Sequence, residues 1–97
     1  MSYGQGTVEI NFGVHPGNNE ASIAITGQTS ISATSSVEAY VMADDTTTTH
    51  TANDHKYFVA FASLTCGTPT AGTGFTIYAR SLDKLSGSFK VHYIWSD

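Results

Sequence analysis

The chain has 97 residues, of which 40% are hydrophobic and 12% are charged, and its formal net charge is −4 at pH 7. This length supports one hydrophobic core, so we expect a single domain over residues 1–97. Only 4 residues are lysine or arginine, which excludes the basic stripe that binding to nucleic-acid phosphates requires.

The first part of the chain has the pattern of strands separated by turns. Residues 1–6 contain glycines without apolar anchors and are predicted to form a flexible arm. Apolar and polar residues alternate over Thr7–Val14 and over Ala21–Thr26, a period of two that predicts strands with one buried face. The turn signal Pro16-Gly17 separates them. Residues 29–43 predict two short strands or one long, kinked strand.

Residues 44–56 are predicted to form a long exposed loop, because the stretch lacks periodicity, and loops of this length are often functional or mobile. Its imidazole, carboxylate and amide groups predict a binding loop made of Asp44, Asp45, His50, Asn53, Asp54 and His55. His50 and His55 are candidate metal ligands, within one chain or shared between subunits around a symmetry axis. The alternative is that Asp54 and His55 hydrogen-bond the backbone of the loop itself.

The second half of the chain alternates again. Tyr57–Cys66 carries apolar groups on both faces, which indicates a strand that is central or that meets another subunit. Phe75–Ala79 and Ser88–Trp95 are predicted strands, and residues 80–87 a polar connection with room for a helical turn. The single cysteine is predicted to pack as a small apolar residue at a strand end. The candidate interface residues are Tyr57, Val59, Phe61, Tyr93 and Trp95.

About seven short strands separated by turns predict an all-β fold, namely a single antiparallel β-sandwich of Ig-like or jelly-roll-like type. A small β-barrel is the alternative. The chain shows no nucleophile elbow, phosphate loop or cofactor motif, so we expect neither enzymatic activity nor a cofactor. It also shows no export signal and no long apolar run, so we expect synthesis in the cytoplasm and no membrane insertion.

Several segments resemble small structural proteins of tailed bacteriophages. They are Ile10-Asn11-Phe12-Gly13 followed by Pro16-Gly17, Thr26-Gly27-Gln28, His50-Thr51-Ala52-Asn53-Asp54-His55, Gly74-Phe75-Thr76-Ile77-Tyr78 and Tyr93-Ile94-Trp95. The resemblance implies a short all-β protein that is built into a virion in several copies, at the tail, neck, fibre base or head surface. It implies copies of the chain and other virion proteins as partners, and synthesis in a bacterial host.

The alternative function is a carbohydrate- or receptor-binding module that contacts a host-surface glycan. The contact would be made by the loop at residues 44–56 or by exposed tyrosines, whose candidates are Tyr3, Tyr40, Tyr57, Tyr78 and Tyr93. The two hypotheses predict different observations. An assembly component forms a homo-oligomer or binds a virion partner in fixed ratio, whereas a binding module is retained on a glycan array.

Overall fold

Two three-stranded antiparallel sheets pack together and form a small all-β sandwich, which confirms the predicted fold class. A computed structural model of the chain describes residues 2–14, 16–43 and 50–97. Six strands and one helix lie within these ranges. In chain order they are β1 (Tyr3–Asn11), β2 (Asn18–Ile25), β3 (Ser36–Tyr40), α1 (Ala52–Phe61), β4 (Ala62–Cys66), β5 (Phe75–Leu85) and β6 (Ser88–Ser96).

Each sheet is built around one of the last two strands, β5 or β6. The first sheet has the order β1-β6-β3, and the second has the order β2-β5-β4. The central strands β5 and β6 are joined by Ser86 and Gly87 alone. Gly87 has a φ of 79°, a left-handed conformation that favours glycine. The chain crosses from one layer to the other at this turn, so each layer has one of these strands at its centre.

The core lies between the sheets and consists mainly of the inward-facing residues that alternate along the strands, together with Phe58 of α1 and two loop residues. The alternation predicted around Ile10, Ile25, Ile77 and Val91 is confirmed, because each of these residues is buried. Val14 is the exception, since it lies beyond the end of β1 and is 89% exposed. The buried apolar residues are Ile10, Phe12, Ile25, Ile31, Phe58, Phe75, Ile77, Ala79, Phe89, Val91 and Trp95.

The predicted loop and strand around residues 52–61 are wrong in part, because this segment is helical. Thr51 is the N-cap: its hydroxyl accepts the Asp54 N–H at 3.3 Å, and the Asp54 carboxylate accepts the Thr51 N–H at 2.9 Å. This capping box satisfies two backbone donors that a helix start otherwise leaves unpaired. His55 and Phe58, three residues apart, are the buried residues of α1.

The predicted flexible arm is also corrected, because β1 begins at Tyr3 and pairs with β6 along its length. Gly4 and Gly6 lie opposite Trp95 and Tyr93 in this pair. A Cβ atom at Gly4 would overlap the Trp95 indole, and one at Gly6 would overlap the Tyr93 phenol ring. The two glycines therefore make room for aromatic side chains of the core instead of loosening the chain.

Two further segments differ from the sequence-based expectation. β5 continues to Leu85 and replaces the polar connection predicted after Ala79. Residues 29–35 contain turns, and the strand that follows spans only Ser36–Tyr40. Here the Ser35 hydroxyl accepts the Ser32 N–H at 3.0 Å and donates to Asp97 at 2.9 Å. Such side-chain hydrogen bonds compete with strand pairing.

The described ranges contain no candidate for a membrane-spanning helix. None of the helical structure there combines the length and the apolar character that crossing a bilayer requires.

Candidate functional site

His50 lies at the start of α1 and connects it to the turn between β5 and β6. Its Nδ1 lies 3.2 Å from the Asp54 carboxylate, and its Nε2 donates to the Ser86 carbonyl at 2.7 Å. The ring stacks on Phe89 with a centroid distance of 3.9 Å. Both ring nitrogens of His50 therefore face oxygen atoms that can accept hydrogen bonds.

His55 is fully buried and has the opposite hydrogen-bond pattern. Its Nδ1 donates to the Thr51 carbonyl at 2.8 Å, and its Nε2 accepts the backbone N–H of Lys90 at 3.0 Å. One nitrogen is therefore a donor and the other an acceptor, which is the pattern of a neutral imidazole. A metal ion at Nε2 would have to displace the β6 backbone, because that nitrogen already holds the Lys90 N–H.

The pKa of Asp54 is lowered from its ordinary value of 3.8. The largest cause is the backbone hydrogen bond from Thr51, followed by the hydrogen bond with His50. Hydrogen bonds to a carboxylate favour its charged form. The ionised Asp54 also lies in the first turn of α1, where negative charge complements the helix dipole.

The structure therefore brings only some residues of the predicted binding loop close to one another. His50, Asp54 and His55 meet at the helix N-terminus, whereas Asn53 is exposed, and Asp44 and Asp45 lie outside the described residues. Asp54 and Nδ1 of His55 hydrogen-bond the local backbone at Thr51, as the alternative interpretation of this segment predicted, whereas Nε2 of His55 reaches β6. Across the described ranges, no three His, Cys, Asp or Glu side chains are grouped so that they could hold a metal ion.

The predicted interface residues divide into two sets. Tyr57, Val59 and Phe61 lie on α1 and are 60%, 59% and 43% exposed, respectively. Trp95 is only 3% exposed, and its Nε1 donates to the Gln28 side chain at 2.9 Å. Tyr93 is partly buried and packs edge-to-face on a core phenylalanine. Only the helical set is therefore accessible to a partner.

An apolar groove runs beside Val59, where α1 meets the edges of both sheets. It is lined by Ala39, Tyr40, Val41, Phe58, Val59, Ala62 and Leu64. On the other flank of the helix, the rings of Tyr57 and Phe61 stack with a centroid distance of 6.5 Å. The accessible apolar side chains of α1 therefore occupy two flanks of the helix.

A second candidate site lies on the outward face of the β2-β5-β4 sheet. Ser22, Tyr78 and Thr65 form one row across the three strands, and Glu20, Arg80 and Ser63 form the next row. Tyr78 is 51% exposed. From the sequence, Tyr78 is one of five candidate tyrosines, and the Glu20–Arg80 pair was not predicted because the strand was expected to end at Ala79. The period-two pattern continues through Arg80 and would have placed this residue beside Tyr78.

Comparison of the chain with protein-family models, with curated proteins and with solved structures gives no match.

Proposed function

We propose that this chain is a non-enzymatic structural subunit of a tailed-bacteriophage virion. It assembles with copies of itself, or docks on another virion protein, as a tail, neck, fibre-associated or head-decoration component. The observation that carries the proposal is the uncovered apolar surface of α1. The segments that resemble phage structural proteins, and the small number of charged residues, support the virion as the place of assembly.

Helix α1 has apolar side chains on sides that do not pack against the sandwich. Phe58 packs into the core, whereas Val59 and the stacked Tyr57–Phe61 pair lie on its two flanks. A helix with apolar residues around most of its circumference is usually buried on several sides. Full burial of one side chain of this kind contributes about 1.5–3 kcal/mol. A partner that covers both flanks would therefore supply a substantial part of an association free energy.

The edge strands next to α1 offer a second element of contact. Within the described part of the chain, β3 pairs only with β6, and β4 pairs only with β5. Each therefore leaves one row of backbone N–H and C=O groups without a strand partner. An added strand from a second molecule can pair with such a row, and the groove beside Val59 lies between these two edges.

Light scattering over a concentration series tests the assembly. We expect the wild-type chain to self-associate, and Val59→Glu or Phe61→Glu to weaken self-association by about tenfold or more, because each places a charge in the contact. Tyr3→Glu is the matched control, since Tyr3 is 72% exposed and lies on β1, at the sheet edge opposite β3. Circular dichroism verifies that each variant is folded.

The virion assignment needs its own measurement. Mass spectrometry of purified particles of the phage that encodes the chain should find it in a fixed ratio to the major head or tail protein. Particles without the chain, together with a wild-type chain that stays monomeric up to about 1 mM, would contradict the proposal.

A further inference from the structure

The outward face of the β2-β5-β4 sheet is a flat, polar surface with one aromatic side chain at its centre. Tyr78 is paired across the strands with Ser22 on β2 and with Thr65 on β4. Both neighbours are exposed. The next row holds the Glu20–Arg80 pair, and strand spacings place these rows about 7 Å apart. A tyrosine framed by hydroxyl groups on a solvent-exposed sheet has no role in the core of the sandwich.

The Tyr78 ring is supported by the backbone beneath it. A Cβ atom at Gly67 would lie 3.3 Å from Cε2 of Tyr78 and 3.9 Å from its hydroxyl oxygen, so the ring extends over the glycine. Gly67 also donates its N–H to the Thr76 carbonyl at 2.8 Å, which fixes it beside β5. The ring therefore lies against Gly67 on one side, and a contact of this kind restricts the ring and lowers the entropic cost of binding.

Hydroxyl groups lie on both sides of the Tyr78 ring. One depression next to the ring is lined by Ser22, Ser63 and Thr65 together with Glu20 and Arg80. A second depression on the other side is lined by Thr26, Thr68, Thr70, Thr73 and Thr76. Tyr78 borders both depressions. A ligand that fits this surface has an apolar patch for the ring and hydroxyl groups that continue in both directions.

The charges on this surface cancel. Among the described residues that line the two depressions, Glu20 and Arg80 are the charged ones. Arg80 Nε donates to Glu20 Oε1 at 2.8 Å, and Nη2 donates to the same oxygen. The second carboxylate oxygen of Glu20 takes no part in this pair. A neutral ligand with neighbouring donor and acceptor groups complements such a pair better than an anion or a cation does.

We propose that this face binds a neutral oligosaccharide, with one pyranose ring stacked on Tyr78 and the hydroxyl groups of adjacent sugar units bonded by the side chains on either side. The C–H face of a pyranose matches the aromatic ring, and its vicinal hydroxyl groups match the Glu20–Arg80 pair and the threonines. This site is separate from α1, so the proposal goes beyond the assembly function and does not depend on it.

The test is a titration of the isotope-labelled full chain with maltohexaose, cellohexaose, mannohexaose and chitohexaose, followed by two-dimensional NMR. We expect at least one of them to shift the amide signals of Ser22, Thr65 and Tyr78 in a saturable way, with a Kd of about 1 mM because the surface is shallow. Tyr78→Ala should weaken this binding by about tenfold or more, whereas Tyr78→Phe should stay within about threefold.

Two further variants separate a binding site from a general effect on the fold. Tyr57→Ala removes a similarly exposed tyrosine from α1 and should leave the Kd unchanged. Gly67→Ala places a methyl group 3.3 Å from Cε2 of Tyr78, so the ring must shift by a few tenths of an ångström, and binding should weaken while the remaining amide signals keep their positions. The results for both variants can be interpreted even if the Tyr78→Ala substitution perturbs the sheet.

Three results would overturn the proposal. The first is the absence of saturable shifts with all four oligosaccharides up to about 20 mM. The second is an unchanged Kd in Tyr78→Ala. The third is a Tyr78 amide signal that shifts with protein concentration and does not shift on addition of saccharide. This result would show that a second copy of the chain covers this face.

Discussion

Two histidines at the start of α1 have different sets of hydrogen-bond partners. His50 is placed between a carboxylate and a carbonyl, whereas His55 is placed between a carbonyl and a backbone N–H. Both rings contact Phe89, one by stacking and the other edge-to-face. The pair therefore joins α1 to β6 through polar and apolar contacts together.

Asp54 provides a pH-dependent prediction at this position. Because its pKa is lowered below 3.8 in the folded chain, its contribution to stability is present above that pH and is lost as pH falls through the folded pKa. Asp54→Asn removes the ionisation but keeps an oxygen that accepts the Thr51 N–H. We expect this variant to be less stable than wild type at neutral pH. The difference between the two free energies of unfolding should shrink in acid.

Denaturant unfolding of both proteins at neutral pH and at a pH below 3.8 measures this difference. A difference of the same size at both pH values would show that the ionised carboxylate does not stabilise the helix start.

Cys66 lies at the end of β4 and packs against the core, as predicted for a small apolar residue. Burial, and to a lesser extent the charge of Glu38, raises the pKa of its thiol above the ordinary value of 9.0. Because the thiolate is the reactive form, we expect iodoacetamide to alkylate Cys66 about tenfold or more slowly than a free thiol at pH 8. Urea should restore the rate. Equal rates in folded and unfolded chain would contradict the prediction.

Among the elements, α1 shows where sequence patterns compete. The run Tyr57-Phe58-Val59 is rich in aromatic and β-branched residues, which favour strands. The signal for a helix was also present, since Thr51 and Asp54 have the spacing of a capping box. The helix forms because the cap is complete and because His55 and Phe58 are buried on one side of it. Local helix and strand propensities carry no information about this tertiary contact.

The strands were predicted more successfully where one face is buried. The alternation in β1, β2, β5 and β6 identified most of the core, because a two-residue period places every second side chain of a strand in the common interior. Strand ends were less predictable, as at Tyr3 and Leu85, because they depend on partners distant in sequence. The outward face around Tyr78 depends on strand order, which alternation does not specify.

The pairing of β1 with β6 leads to a prediction about Gly4. An alanine Cβ atom there would overlap the Trp95 indole, which is buried and hydrogen-bonded to Gln28 and therefore cannot swing away. We expect Gly4→Ala to lower the free energy of unfolding by about 1–3 kcal/mol, the usual cost of overpacking. Urea denaturation measures the loss.

The control for this substitution is Gln5→Ala on the same strand, where the side chain points to solvent. It should change stability by less than about 0.5 kcal/mol. Equal effects of the two substitutions would indicate that the strand end tolerates a side chain on either face.

For the molecule as a whole, the sandwich separates two surfaces of different chemistry. The flanks of α1 are apolar and border the outer edges of β3 and β4, whereas the described outward face of the β2-β5-β4 sheet is polar around the ring of Tyr78. One chain can therefore contact a protein partner with the first surface while the second remains open to solvent. This separation makes the two proposals independently testable with variants on different elements.

The composition of the α1 surface predicts how assembly depends on salt. Asp54 and Lys56 are the acidic and basic residues of this helix, and the exposed side chains on its flanks are apolar. Salt screens exposed charges but not the burial of apolar area. Raising the NaCl concentration from about 50 mM to about 500 mM should therefore change the self-association constant by less than about threefold. Sedimentation equilibrium measures it, and a tenfold loss of association would place the contact on a charged surface instead of α1.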